Sequence, residues 1–348
     1  MILAFTICSN NYLAQAITLG YSLFLHNSNY KFIIGLVDKR NNTIDYTKIP
    51  FEILEVEKIG ISDFDSMFMK YNIVELNTAV KPFYFNFFFN TTKYESIIYL
   101  DPDIEVFAPF EELEKELRNH DIIITPHFVT PLNDDKWQAE EDFLNSGIYN
   151  LGFIAIKKST NSLKMIEWWA DRLRTKASID FCRGLFTDQI WINFVPIFFE
   201  NVKIFRDPGY NVAFWNLHER TIQEVNNKYY INQLSPLVFY HYASFRPLNP
   251  EEISLYQNRF SFKNRPDVSP LFDNYCKKVF LYGYMNFYKI PCYYVEQKNQ
   301  IQQMELEAKI QSIPRYKKII SFLLRQIRKV YRRLIRKMGV VLDPSVIK

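Results

Sequence analysis

Six short apolar runs decide what this chain can fold into: ILAFTIC (2–8), KFIIGLVD (31–38), FEILEVE (51–57), SIIYL (96–100), DIIITP (121–126) and LGFIAIKK (151–158). Each has the length of a strand. Helical patterns stand among them at AQAITLGYSLFLHN (14–27), LKMIEWWADRL (163–173) and TDQIWINFVPIFF (187–199), the last running at least to Pro196. Alternating strand and helix patterns predict βαβ units and a mainly parallel central sheet flanked by helices, an α/β fold. SIIYL is continuously apolar, as expected of a central strand covered on both faces. VKPFYFNFFFN (80–90) predicts a helix with proline in its first turn, where the missing N–H costs nothing. It is aromatic nearly all round, so it is expected to be buried. The polar, acidic stretch 127–145 reads as a long loop, and 247–300 is irregular and rich in Tyr and Pro. From about residue 301 the pattern is helical.

At 348 residues the chain fits one large domain, or one domain with additions, and 48% hydrophobic residues are enough for a sizeable core. Nine glycines and no internal repeat argue against fibrous or repeat architectures. The four cysteines, Cys8, Cys182, Cys276 and Cys292, make no CxxC pair, so neither a zinc site nor a disulfide framework is expected, and a reducing compartment suits them. The N-terminal residues do not read as a signal peptide, and no run of eighteen apolar residues predicts a transmembrane span. Charge is unevenly placed. Arg315–Lys337 holds ten Lys and Arg and no Asp or Glu, while the whole chain is +4, so everything outside that segment sums to −6.

The run IIYL ends in Asp101-Pro102-Asp103. In open α/β sheets ligands sit at the carboxyl ends of strands, near a switch in strand order. Two carboxylates two residues apart in an extended segment point to one side, a seat for a hard divalent cation, and the proline stiffens it. Such a pair can equally cap a turn. The haloacid-dehalogenase phosphatases also follow a strand with DxDx and then Thr or Val, but Glu105 holds that last position here, and their nucleophile lies near the start of the domain.

Three further stretches accompany the pair: NSGIYNLGFIAI (145–156), FTDQIWINFVP (186–196) and FYHYASFRP (239–247). Together they resemble the GT-A glycosyltransferases, metal-dependent nucleotide-sugar enzymes, in particular family 8-type and related bacterial cell-surface polysaccharide glycosyltransferases. RDPGYNVAFWNLHER (206–220) looks like a signature of the latter group. The resemblance covers about residues 1–250. It implies a GT-A (Rossmann-like) domain over 1–250; the sequence pattern adds an irregular extension packed on it over 251–300 and a basic amphipathic helical tail over 301–340.

The resemblance also assigns roles. Asp101 and Asp103 would bind the metal, Mn²⁺ or Mg²⁺, with Asp101 also touching the donor's ribose and diphosphate. His241 would complete the metal site, and an oxygen-rich site with one imidazole suits Mn²⁺. Arg246 stands where the family usually has a diphosphate-contacting lysine. Lys81 would reach the donor's phosphates or sugar, a solvated lysine being the alternative. Asn150 would lie near the sugar, Asp188 would bind its hydroxyls, and Gln189 would lie near the anomeric carbon. Asn11 and Tyr12 would contact the nucleotide, expected to be that of a UDP-sugar.

The implied reaction transfers a hexose-type sugar to a saccharide or lipid-linked saccharide, with retention, the departing phosphate taking the acceptor's proton. An inverting enzyme would need a carboxylate base, for which the 134–142 loop has candidates. The rival readings are a sugar-nucleotide nucleotidyltransferase, disfavoured because CSNNYLAQ lacks a glycine-rich phosphate loop, and a non-catalytic carbohydrate-binding protein. In the tail, Ile319, Leu323, Ile327, Val330, Leu334 and Met338 form one apolar stripe among the ten cations. A basic amphipathic helix on an anionic membrane fits this pattern, which would place the enzyme at the cytoplasmic face of the cell membrane. A docked surface helix and a nucleic-acid arm are the alternatives, and nothing else suggests nucleic acid.

Overall fold

Apolar residues on both sides of successive strands build a sheet buried between two helical layers, described over residues 2–312 in a computed structural model. Its strands are β1 (Ile2–Cys8), β2 (Lys31–Leu36), β3 (Glu52–Glu55), β4 (Ser96–Leu100), β6 (Ile122–Pro126), β7 (Tyr149–Lys157) and β8 (Val202–Ile204); β5 (Ile104–Val106) lies outside it. The order is β3-β2-β1-β4-β7-β6-β8. Every pairing is parallel except those of β7, which runs antiparallel to β4 and β6. This is the GT-A, Rossmann-like arrangement. After β3 the chain returns to place β4 on the other side of β1, so the strand order reverses between β1 and β4. A crevice opens at the carboxyl ends of two strands that diverge in this way.

The period of two along the strands divides the core. Phe5, Ile97 and Tyr99 pack on one face with the helix Lys81–Thr91, where the Phe5 ring meets Phe85 and Phe88 edge-on at 4.9 and 5.2 Å. Ala4, Ile98 and Leu100 pack on the other with the helix Leu13–His26. β4 is thus the covered central strand that its continuous apolar run predicts.

A second structure hangs beside the sheet. β9 (Ile222–Val225) and β10 (Lys228–Ile231) form a hairpin whose two turn residues, Asn226 and Asn227, both have positive φ, the backbone that a type I′ turn demands. β11 (Ser235–Pro236) completes that small sheet, and β12 (Phe239–His241) pairs antiparallel with β5. The helix Ser269–Leu281 buries Leu271, Phe272, Tyr275 and Val279 against this region, and the rings of Tyr242 and Tyr275 stack at 3.8 Å. Buried Glu105 on β5 accepts the Tyr242 hydroxyl and pairs with Lys278, which ties this helix to the ribbon.

Several expectations change. The stretch 187–199 is two short helices, Gln189–Ile192 and Val195–Phe198, because Pro196 has no N–H to give the carbonyl of Ile192. The 127–145 loop contains the start of a helix, Glu140–Ser146. The region 247–300 holds the helices Ser269–Leu281 and Tyr284–Phe287, and a third, Tyr293–Ser312, begins eight residues before the expected tail. The chain divides after Val295, with Met1–Val295 one compact unit and Glu296–Lys348 a second. The basic stripe from Ile319 to Met338 lies outside the described residues. Among the described residues no helix is long and apolar enough to cross a membrane.

Candidate metal centre

Asp101 is the first residue beyond β4. It does not continue the strand, as an extended Asp-Pro-Asp would. The Ile104 N–H donates to the Asp101 carbonyl at 3.2 Å, closing a turn with Pro102 in the position where its fixed φ is favoured. The turn feeds β5, and β5 brings in a residue 140 positions away. In the β5–β12 register Ile104 faces His241, and the Tyr242 N–H donates to the Asp103 carbonyl at 2.8 Å. The His241 imidazole therefore stands beside both carboxylates: Nε2 is 3.1 Å from Asp103 Oδ1 and 3.7 Å from Asp101 Oδ2.

One ligand atom from each of the three residues lies within 4.8 Å of the others, close enough for one divalent cation to bridge. Two carboxylates and an imidazole form a donor set that suits such an ion. Exposure agrees: the aspartate side chains are 29% and 20% exposed toward the crevice, whereas His241 is 4% exposed. Burial disfavours a charged imidazole, but Asp103 and then Asp101 outweigh it and hold the His241 pKa above its usual value. Burial raises the Asp101 pKa, against the pull of Lys81 and His241. Two half-buried carboxylates and a buried imidazole thus stand together, and a divalent cation could take the place between them.

The imidazole is held by packing. Its Nδ1 is buried without a hydrogen-bond partner among the described residues, and the ring sits edge-on to Trp215 at 5.2 Å. Beneath it lies Gly152, where an added Cβ would fall 2.3 Å from His241 Cε1. The same glycine's carbonyl accepts the Asp101 N–H at 2.8 Å, so one residue without a side chain positions both Asp101 and His241. The Tyr99 hydroxyl donates to Asp101 Oδ1 at 2.5 Å and orients that carboxylate.

Lys81 is buried, which rules out a solvated lysine. Its Nζ lies 2.6 Å from Asp188 Oδ2, donates to the Leu151 carbonyl at 2.8 Å and sits 4.1 Å above the Tyr99 ring. The contact with Asp188 is chiefly electrostatic, since that oxygen has no well-aligned hydrogen bond. Thr187, just before it, has φ of 45°, a strained backbone for a β-branched residue and one worth about 1–3 kcal/mol. Strain of that kind, held next to Asp188 and Gln189, fits a functional turn. Gln189 uses both ends of its amide on backbone: Nε2 donates to the Ser146 carbonyl at 2.9 Å and Oε1 accepts the Leu151 N–H at 3.1 Å. Gly147, with φ of 114°, lets the chain pass against it.

Asn150 belongs to a buried polar network. Its Oδ1 accepts from the Gly152 N–H and from Asn211 Nδ2, both at 3.1 Å, and its Nδ2 donates to His127 Nε2 at 3.3 Å. His127 Nδ1 donates to the Ile148 carbonyl at 3.2 Å, and burial drives its pKa down to about 3, so the ring is neutral with one tautomer specified by its neighbours. Asn216 donates to the carbonyls of His127 and Asn211, each at 2.9 Å. The sequence reading missed His127, Asn211, Asn216 and Tyr99. Signals existed for three of them: Asn211 and Asn216 lie inside RDPGYNVAFWNLHER, and His127 follows a strand just as Asp101 does.

Asn11 and Tyr12 form a single helical turn, Asn10–Tyr12, at the carboxyl end of β1. The Tyr12 ring is half-exposed, and its phenol pKa is raised by burial of the hydroxyl and by Asp103. Arg246 is exposed, without an ion pair or hydrogen bond to its side chain among the described residues. The structure therefore gathers Asp101, Asp103, His241, Lys81, Asp188 and Tyr12 around one point, with Asn150 and Gln189 shaping the wall behind. Asp38, which the sequence reading did not single out, is buried at the end of β2 and accepts the N–H groups of Asn10, Lys39 and Tyr293.

No protein-family model matches the chain. Two uncharacterized proteins of Bacillus subtilis (strain 168) are similar to it. YfnF is 24% identical over 176 residues, 50% of this chain and 58% of YfnF, so the chain spans under two thirds of that relative's length. YfnD is 22% identical over 261 residues, 72% of this chain and 80% of YfnD. Among solved structures, the galactosyltransferase LgtC in complex with donor and acceptor sugar analogs is 12% identical with a TM-score of 0.47, covering 84% of this chain and 98% of LgtC. The glycosyltransferase GlyE of Streptococcus pneumoniae TIGR4 is 14% identical with a TM-score of 0.46, covering 87% of this chain and 63% of GlyE.

Replacing Lys81 by Met should leave Asp188 as an uncompensated buried charge. Denaturant unfolding is expected to show a loss of about 3–5 kcal/mol, and a loss below 1 kcal/mol would mean that the pair is not buried as described. Gly152→Ala should push the imidazole off its seat. Its Mn²⁺ affinity, followed by electron paramagnetic resonance of the free ion, should fall about 10–100-fold with the secondary structure retained, whereas unchanged affinity would remove His241 from the ligand set.

Proposed function

We propose that this protein is a metal-dependent glycosyltransferase that moves a hexose-type sugar from a nucleotide sugar, a UDP-sugar, to a saccharide or lipid-linked saccharide acceptor in cell-surface glycan synthesis. The observation that carries this reading is the Asp101, Asp103 and His241 cluster at the point where the strand order reverses. Mn²⁺ or Mg²⁺ held by these three residues would act as a Lewis acid toward the negative charge that grows on the nucleoside diphosphate as the glycosidic bond breaks.

The chain's own residues complete the site. Tyr99 keeps the Asp101 carboxylate in one orientation. Lys81, 2.6 Å from Asp188 Oδ2, holds that carboxylate in a buried position, where it can accept hydrogen bonds from sugar hydroxyls. Tyr12 and Asn11 offer a half-open face to the base, and the free Arg246 guanidinium offers charge to the diphosphate. The resemblance gives Gln189 the position near the anomeric carbon, and an amide cannot supply the carboxylate that a double displacement needs. Its amide holds the 146–151 backbone, a role that supports Asn150 as a positioned sugar contact. We propose transfer with retention, the acceptor hydroxyl attacking the anomeric carbon from the face that the diphosphate leaves and giving its proton to that phosphate. The basic stripe 315–339 supports a location on the cytoplasmic face of a membrane, where each Lys or Arg near anionic lipid contributes about 1 kcal/mol.

The metal reading is tested by Asp103→Asn. Calorimetry of UDP with and without Mn²⁺ should show metal-dependent binding in the wild type and its loss in the variant, with transfer slowed about 10²–10³-fold. Equal UDP binding with and without metal in the wild type would overturn the assignment. The membrane reading is tested by flotation with vesicles containing anionic lipid. The full chain should float, less so at high salt, and a chain ending at Ser312 should not. Equal behaviour of the two would overturn the tail as the anchor.

A further inference from the structure

The 127–145 loop carries one large aromatic ring in solvent. Trp137 is 47% exposed, and its indole N–H has no partner among the described residues. An exposed indole adds little to folding, yet the backbone beneath it is heavily fixed. The Trp137 N–H donates to Asn258 Oδ1 at 2.8 Å, and the Trp137 carbonyl accepts the Asn258 N–H at 2.9 Å. Around it Arg259 grips Asp134 through two hydrogen bonds of 2.7 and 2.9 Å and also donates to the carbonyls of Lys136 and Gln138. The Arg259 side chain is only 6% exposed, so this is a built joint between two loops.

The partner loop brings a second ring. Tyr256, two residues before Asn258, is 54% exposed. Its phenol lies within electrostatic range of the Tyr12 phenol, as does Asp103. The Asn258 joint thus ties the loop that holds Trp137 to the loop that holds Tyr256.

Rigid, amphipathic aromatic rings on a fixed backbone bind at low entropic cost. Pyranose rings present an apolar face of C–H groups bordered by hydroxyls. An indole offers them a flat apolar surface and one free N–H donor. An apolar peptide or an acyl chain would not use that donor, and an anion would find Asp134 and Asp135 beside it.

We propose that Trp137 and Tyr256 form the acceptor subsite, a fixed aromatic platform for the pyranose rings of the oligosaccharide that receives the transferred sugar. The name acceptor rests on the transferase reading above; the binding of a saccharide does not. The test is a glycan array of neutral hexose oligosaccharides probed with the full chain in Mn²⁺ and UDP. Calorimetry then follows on the best-bound glycan and, separately, on UDP with Mn²⁺. The wild type should bind at least one glycan class. Trp137→Ala and Tyr256→Ala should each weaken that binding about tenfold or more, Trp137→Phe should retain most of it, and UDP affinity should stay unchanged in all three. A wild type that binds no glycan, or alanine variants that bind as tightly as the wild type, would overturn the platform. Glycan binding that depends on both rings, in a protein that shows no metal-dependent UDP binding, would uphold the platform and overturn the transferase reading instead.

Discussion

The pairing of β5 with β12 is the constraint on which the site depends. Three residues from each strand make the ladder, and it extends one step further through the Tyr242 N–H and the Asp103 carbonyl. That step holds a turn with two carboxylates and a histidine from a distant part of the chain at hydrogen-bonding distance. So short a ribbon would be marginal alone. It is stabilised from behind by the stacked rings of Tyr242 and Tyr275 and by the buried Glu105 carboxylate, which binds a hydroxyl and a lysine. The segment after residue 250, which carries no motif, is thus part of what positions the candidate metal ligands.

Burial around the site serves orientation more than stability. A lysine and an aspartate are removed from water as a pair, and three asparagines and a histidine form a connected network behind the glycine on which His241 rests. Such groups are costly unless each finds a partner. Nearly every polar atom in the network does, and in return Asn150 and the Gly152 backbone have one position. The strained backbone at Thr187 belongs to the same economy of placement, since the surrounding contacts must hold it.

Much of the fold was legible. All six strand patterns appear as strands within a few residues, because β4 and its neighbours are buried on both faces and carry continuous apolar runs. The helix of 80–90 was readable from its proline and its aromatic residues. The misreadings have physical causes. Pro196 interrupts a helical pattern that hydrophobicity alone continues. In 269–281 the buried positions Leu271, Phe272, Tyr275 and Val279 keep a helical spacing, but the surrounding tyrosines and prolines obscure it. The Asp-Pro-Asp segment was read as extended from its period of two, whereas its proline favours a turn.

What the sequence by itself determined is local: the strands, the buried central strand ending in two carboxylates, and the basic stripe near the C-terminus. These follow from periodicity, burial preference and charge, which act between near neighbours. Only the tertiary structure decided that Lys81 is paired with Asp188, that Gln189 uses its whole amide on backbone, that His127 and Asn211 support Asn150, and that Trp137 is pinned by Asn258 and Arg259. Each of these joins residues from 23 to more than 120 positions apart, and no local pattern specifies which partner a buried polar group will find. That choice is made when the strands take their order and the loops at their carboxyl ends are brought together over the same crevice.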